Sequence, residues 1–346
     1  MGEAEDSMDL LTSALEGSMQ VDPDGMGMHP HFSAKYKNTS KLADAQASRR
    51  AAALERQRCG REDLHNRIRK IVDNEPFDED EEVDEEDKSM DTQSPVEWKK
   101  RAQTVRYRGQ LMTSEWLVDI PEELSSDWTM MASPVGRRCL VVARNKITSV
   151  YKKTGELLTQ FVSGLPGGGK SNHGQCTILD CIMEPHPKNV LWCLDVLSWN
   201  GMLCSDNDFL FRHFFLTSRL EENPGLRKSS AKCKFTFRDA PTCPCIKEKM
   251  EEFMQQKFDF DLDGLLFYYS EGFYVAGQTP LVGWLKPFML TPELGVAVPS
   301  TYNFNAGGKN TSQFIAEFNE KHKHKSLVDA KPEDNGVKKG EEEEMN

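Results

Sequence analysis

No apolar run in this chain of 346 residues approaches the roughly 18 residues that a membrane-spanning helix needs. That absence points to a soluble protein with no membrane partner. A second absence is the C-x-x-C pair. Nine cysteines are scattered along the chain, and the closest two, Cys243-Pro-Cys245, are spaced too tightly for an ordinary zinc knuckle. No metal and no cofactor are expected. The odd cysteine count, without a signal peptide, points to a reducing, intracellular compartment. Positive charge is short as well. The net charge is −12 and the isoelectric point about 5.3, which argues against a generic nucleic-acid binder held by phosphate attraction. Internal repeats are also lacking.

The charge that is present is uneven. Residues 35–70 carry eleven Lys and Arg against four acids, and residues 75–91 carry eleven acids against one Lys. Such blocks read as solvated, unstructured segments. From 96 to about 320 the composition turns globular, and all six tryptophans fall there. The expected layout is a flexible stretch over 1–30, a basic helical segment over 31–73, an acidic linker over 74–95, a folded domain over 96–320 and a polar tail over 321–346. Within the domain, 138–143, 175–183 and 190–199 read as buried strands, and turn signals recur at short spacing. The fold class is therefore α+β, mostly antiparallel sheet. Thr311 to Lys321 reads as a closing helix with Phe314, Ile315 and Phe318 on one side.

Residues 164–171, Gly-Leu-Pro-Gly-Gly-Gly-Lys-Ser, satisfy the Walker A pattern, and 190–195 look like the acid-ended strand that accompanies it. A phosphate cradle of that kind needs a helix directly after Ser171. Gly174 and a strand pattern follow instead, so a flexible basic hairpin loop is the better reading.

The stretch 261–289 says most about function. Asp263-Gly264 opens an apolar strand ending in Tyr268-Tyr269, and a second strand, Leu281-Val-Gly-Trp284-Leu-Lys286, stops at Pro287. A plain core role is the bland reading of Trp284. Asp-Gly-apolar-apolar-Phe followed by Trp-x-Lys-Pro resembles two motifs of the covalent nucleotidyltransferase fold of mRNA capping enzymes and DNA ligases. The resemblance implies a held guanine nucleotide. That fold's nucleophile is the lysine of K-x-D-G-x-R. The best match here is 133–138, Ser-Pro-Val-Gly-Arg-Arg, with Ser133 in place of the lysine and Val135 in place of the acid. Thr177-Ile-Leu-Asp180 resembles a further strand motif whose acid serves metal or ribose. The framework is present and the nucleophile absent, which reads as a nucleotide-binding protein that is not an enzyme.

Longer matches are more specific. Leu111-Met-Thr-Ser-Glu-Trp-Leu-Val-Asp-Ile-Pro121, Thr177 to Ile182, Asp263 to Tyr268, Thr279 to Pro287 and Leu294 to Pro299 together resemble the snurportin family. Its members are nuclear import adaptors for spliceosomal small nuclear ribonucleoproteins. The resemblance implies recognition of the 2,2,7-trimethylguanosine cap of small nuclear RNA. Trp284 would stack on the methylated base, Trp116 would contact the N2 methyls, and Thr113 and Ser114 would read the base edge. Arg137, Arg138 and Lys153 would meet phosphates and the rest of the nucleotide. Core packing of Trp116 and ordinary surface charge on the basic residues are the competing readings.

The same resemblance implies two transport partners. The basic residues Lys41, Arg49, Arg50, Arg56, Arg58, Arg61, Arg67, Arg69 and Lys70 would form an importin-β-binding segment, loose alone because isolated helices are marginal. Gly60 would weaken it mid-helix. Contact with RNA backbone is the alternative. Met8, Leu11, Leu15, Met19 and Val21 have the spacing of a leucine-rich export signal for an exportin. The expected function is a cargo adaptor shuttling between nucleus and cytoplasm. An active guanylyltransferase or P-loop NTPase-like enzyme, and a plain RNA-binding module, are the rival readings.

Overall fold

Val190 to Trp199 is apolar along both of its faces, and all ten residues are buried. A strand of that kind belongs inside a sheet covered on each side. In the computed structural model this is what it does. The structure describes residues 39–73, 104–170, 175–184, 188–230, 233–305 and 310–328. The chain divides into two compact units, Met1–Ala45 and Gln46–Asn346, and both sheets belong to the second.

In chain order the elements start with α1 (Thr39–Cys59), α2 (Arg61–Asp73), β1 (Met112–Trp116), α3 (Leu124–Asp127), β2 (Trp128–Pro134) and β3 (Arg137–Arg144). β4 (Ile147–Lys152), β5 (Leu157–Phe161), β6 (Thr177–Met183), β7 (Val190–Trp199) and β8 (Met202–Leu203) follow. Then come α4 (Phe209–Glu222), β9 (Thr236–Asp239), β10 (Thr242–Pro244), α5 (Lys247–Met254), β11 (Leu262–Tyr269) and β12 (Gly277–Leu285). A 3₁₀ turn from Pro287 leads to α6 (Leu290–Leu294) and finally α7 (Thr311–Val328). Among the described residues no helix is long and apolar enough to cross a membrane.

The strands form two sheets. One has seven strands in the order β5-β4-β3-β6-β7-β8, with β9 also on β7; the other has five in the order β1-β12-β11-β2-β10. Among the described residues, only β1 with β12 and β7 with β9 run parallel. The α+β, mostly antiparallel class is thus observed. Alternation along the strands of the larger sheet splits its side chains between two cores. Leu140, Val142, Ile178, Ile182, Trp192 and Leu194 enter the main core. Cys139, Val141, Leu179, Cys181, Leu191 and Cys193 enter a second core completed by Leu216 and Leu220 of α4. Asp208 caps α4 by accepting the Phe211 N–H at 2.7 Å.

The N-terminal basic segment differs from the loose helix expected of it. Ile68 and Ile71 of α2 are buried in the main core, and Arg144 donates to the Ile71 carbonyl at 3.0 Å and to that of Val72. Those carbonyls are orphans at a helix end, so the guanidinium caps α2. Gln57 of α1 donates to the Glu271 carbonyl at 2.7 Å and accepts from Phe273 N–H at 2.8 Å. The packing supplies what an isolated helix lacks. Gly60 is not mid-helix: α1 ends at Cys59 and α2 starts at Arg61, with Gly60 donating back to the Arg56 carbonyl at 2.8 Å.

Two smaller expectations also change. The Walker-like segment is a packed glycine turn rather than a flexible loop. Gly167, Gly168 and Gly169 are buried, and a methyl on Gly167, whose φ is +82°, would overlap the Ala143 and Gln175 carbonyls. The closing helix runs past Lys321 to Val328, since no Gly or Pro interrupts it there.

Candidate functional site

The two tryptophans singled out by the sequence lie on neighbouring strands. In the parallel ladder of β1 and β12, Thr113 pairs with Gln278, Ser114 with Thr279, Glu115 with Gly283 and Trp116 with Trp284. The register jumps between Ser114 and Glu115, leaving Pro280, Leu281 and Val282 without partners on β1. Proline has no N–H to give to a ladder, which is why pairing breaks there. The jump brings Trp116 level with Trp284, so both side chains stand on one face of adjacent strands, about 4.8 Å apart at the backbone.

The two rings then diverge. Trp284 leans away from β1 onto β11, where its indole lies over Gly264. A methyl group at 264 would overlap three atoms of the six-membered part of the indole, Cε2 at 2.8 Å among them. Any larger residue would push the ring off the strand. Lys286 lies beside the same ring, its Nζ 5.4 Å from the centroid. That ammonium also donates to the Asp263 carboxylate at 2.6 Å and to its carbonyl at 2.8 Å. The Asp-Gly and Trp-x-Lys-Pro motifs are therefore one assembly, joined by an ion pair and by a ring lying on glycine. Ser133 of β2 is the cross-strand partner of Gly264 and is buried. Trp116 remains partly buried, with Phe314 and Phe318 at its ring.

The start of β1 is clamped from the other sheet. Arg138 donates Nε and Nη2 to the two carboxylate oxygens of Asp180, each at 2.8 Å, and Nη2 to the Met112 carbonyl at 2.9 Å. Tyr274 donates its hydroxyl to Asp180 at 2.7 Å and accepts the Met112 N–H at 2.9 Å. Burial pushes the Asp180 carboxyl up from its usual range, and Arg138 and Tyr274 draw it back. Both backbone groups of Met112 are thus held one residue before Thr113.

This geometry corrects two expectations. Arg138 commits Nε and Nη2 to Asp180 and Met112 rather than to a phosphate. Asp180 is fully buried in that network and is not open to metal or ribose. Asp195, the acid of the Walker-like strand, is likewise consumed. It pairs through two bonds of 2.8 Å with Arg212, and both side chains are fully buried. Among the described residues no cluster of His, Cys, Asp and Glu could hold a metal ion.

Arg137 starts β3 and is exposed. Lys153 is exposed in the turn after β4, and its carbonyl accepts from Gly109, four residues before Thr113. The basic segment reaches β1 itself. Gln46 donates to the Trp116 carbonyl at 2.8 Å and accepts from the Val118 and Asp119 N–H groups. Arg49 pairs with Glu115 and Arg50 with Asp119. Arg61 lies 3.5 Å from Asp206. Arg56 bonds to the Ala52 carbonyl, while Arg58 and Arg69 pair with Glu55 and Asp73 within their own helices. Arg67 and Lys70 are half-buried on α2, and Lys41 lies in the first turn of α1. Met8, Leu11, Leu15, Met19 and Val21 lie outside the described residues, as does the linker 74–95. A cavity of about 550 Å³ opens between the N-terminal helices and the 275–281 segment, with Arg56, Gln57, Gln278 and Thr279 in its lining.

The family described as Snurportin1, m3G cap-binding domain, matches residues 110–287 of this chain. The chain belongs to the snurportin family. Its cap-binding domain runs from just before β1 to just after β12, so Trp116, Gly264, Trp284 and Lys286 all fall inside. Solved structures similar to the chain include the ligase domain of LigD from M. tuberculosis, at 12% identity and a TM-score of 0.34, covering 50% of this chain and 58% of that one. A Lig E DNA ligase matches at 11% identity and a TM-score of 0.33, over 51% of this chain and 67% of the other. The structure designated Pmar-Lig_PreS3 matches at 11% identity and a TM-score of 0.37, over 52% of this chain and 46% of that one.

Six residues that surround the two tryptophans or fix β1 were not named as site members from the sequence: Asp263, Gly264, Tyr274, Lys286, Phe314 and Phe318. Asp263 and Gly264 were visible as a motif, and Lys286 as part of another, without any sign that they meet. Tyr274 carries no local pattern at all. A substitution tests the central contact. Gly264→Ala should displace the Trp284 indole and destabilise the fold by about 1–3 kcal/mol. With 5-fluorotryptophan in all six positions, one fluorine resonance, assigned by Trp284→Phe, should move most. An unmoved Trp284 resonance means the ring does not lie on Gly264.

Proposed function

We propose that this protein binds the 2,2,7-trimethylguanosine cap of small nuclear RNA on the face of β1 and β12 that carries Trp116 and Trp284. The observation that carries the reading is the level pairing of Trp116 with Trp284 inside the span matched by the snurportin cap-binding family. N7 methylation makes guanine cationic and strengthens stacking on an indole face. In this reading Trp284 stacks on the base, Trp116 meets the N2 methyls, and Thr113 and Ser114 on β1 read the base edge. N2 methyls remove hydrogen-bond donors and add apolar surface, which suits an aromatic wall. Arg137 and Lys153, both exposed, are the cations assigned to phosphate and the rest of the nucleotide, while the Nε and Nη2 groups of Arg138 hold β1 in place.

Titration of the protein with cap dinucleotides tests this. Trimethylated cap should bind better than monomethylated cap, and unmethylated cap should bind worst. Trp284→Ala should weaken trimethylated cap by about 1–3 kcal/mol, or roughly five- to 150-fold. Trp116→Ala should cost the trimethylated cap more than the monomethylated one. Equal losses for both would make Trp116 a packing residue.

The reading extends to transport. The segment containing Lys41, Arg49, Arg50, Arg56, Arg58, Arg61, Arg67, Arg69 and Lys70 would bind importin-β, and the capped ribonucleoprotein would be its cargo. Arg56, Arg58, Arg61 and Arg69 are exposed, which supports a role for them in meeting an acidic partner. Met8, Leu11, Leu15, Met19 and Val21 would engage an exportin, giving a shuttle between cytoplasm and nucleus. In pull-downs, reversing those four arginines to Glu should abolish importin-β capture, and Leu11→Ala with Leu15→Ala should weaken exportin capture. Undiminished capture of either receptor would refute its assignment.

The protein is read as a binder rather than an enzyme, because Ser133 occupies the nucleophile's position and is buried beside Gly264. Incubation with GTP and magnesium should leave its intact mass unchanged. A GMP adduct on any lysine would restore the guanylyltransferase reading.

A further inference from the structure

The aromatic contacts of Trp116 come from beyond the matched domain. Phe314 and Phe318 stand four residues apart on α7, one above the other on a helix face. Their rings lie 6.2 Å apart and within 25° of parallel. Both meet Trp116 nearly at right angles, Phe314 at 6.3 Å and 83°, Phe318 at 5.2 Å and 86°. Edge-to-face pairs are the favoured geometry between such rings. The helix is fastened independently of this contact. Ile315 is buried in the main core, and Phe314 also meets Phe288 at 5.1 Å and 75°. Phe318 is half-buried one turn further along the helix, with its ring beside those of Phe314 and Trp116.

A lone indole on the edge strand β1 would have freedom to turn about its side-chain torsions. The two phenyl rings remove that freedom and set its plane. We infer that Phe314 and Phe318 are positioning residues for cap discrimination, holding the Trp116 indole in the orientation that receives the N2 methyl groups. This rests on the reading of Trp116 given under the proposed function. It makes the C-terminal helix part of the recognition site, although the helix lies past residue 287.

Phe318 is the residue to change, since Ile315 and the contact of Phe314 with Phe288 remain to hold α7. Phe318→Ala should reduce the ratio of trimethylated to monomethylated cap affinity by about two- to tenfold and change monomethylated binding little. Phe318→Tyr keeps the ring and should keep the ratio. If Phe318→Ala is unfolded at the assay temperature, Phe318→Leu, which keeps bulk without the ring, should show the same loss. An unchanged ratio in a folded variant overturns the inference. So does an equal loss for both caps, which is simple packing, or a gain for both, which makes α7 a cover over the site. Trp284→Ala run in parallel separates the two levels of the argument. If it leaves both affinities unchanged, the cap reading fails and this inference with it. If it weakens both while Phe318→Ala does nothing, only the inference fails.

Discussion

The site is organised around the space left by one absent side chain. With no Cβ at residue 264, the Trp284 indole lies on the backbone of β11, and the neighbouring groups take their places from that contact. Lys286, two residues on, reaches back past the ring to Asp263, the residue before the glycine. Ser133 sits across the ladder from the same glycine. Three strands are thus referenced to a single backbone position. The ion pair alone would not do this, because a partly exposed pair is worth little. The steric fit is what admits one ring position and excludes others.

The second constraint is the buried network that fixes β1. Asp180 accepts from Arg138 and Tyr274, and both of those also hold Met112. Removing Arg138 or Asp180 alone leaves the other's charge uncompensated, which typically costs about 3–5 kcal/mol. The network belongs to the sheet behind the site, yet it sets where Thr113 and Ser114 begin. Arg212 with Asp195 repeats the device beneath α4, with Arg212 also donating to the Asn207 and Gly272 carbonyls. Two strands that carry acids in their middles are therefore inner strands, and their acids serve architecture.

Much of this was legible from the residues. The alternation and apolar runs of 138–143 and 190–199 announce strands, and Pro287 announces where β12 stops. The tryptophans could be picked out by motif, since Asp-Gly and Trp-x-Lys-Pro are local patterns. Partnership across strands is not local. Nothing near Arg138 shows that Asp180 will claim it, so an arginine beside a nucleotide motif reads as a phosphate ligand. The register jump at Pro280 is hidden for a similar reason, because a proline announces a break without saying how many residues it will skip. The basic helices were misread as loose because their charge drew the eye. Ile68 and Ile71, two apolar residues three apart, were the better guide.

Those helices adhere by opposite kinds of force on either side of Gly60. α1 is held to the edge strand by Arg49 with Glu115, Arg50 with Asp119 and the amide of Gln46. α2 is held by Ile68 and Ile71. Ionic strength acts on the two in opposite senses. The Debye length shrinks from about 10 Å at 0.1 M to about 3 Å at 1 M, weakening partly exposed ion pairs, while excluded salts such as sulfate strengthen apolar burial. Salt therefore bears first on the Arg49 and Arg50 contacts of α1 and least on the Ile68 and Ile71 contacts of α2, with Gly60 marking the boundary between the two helices.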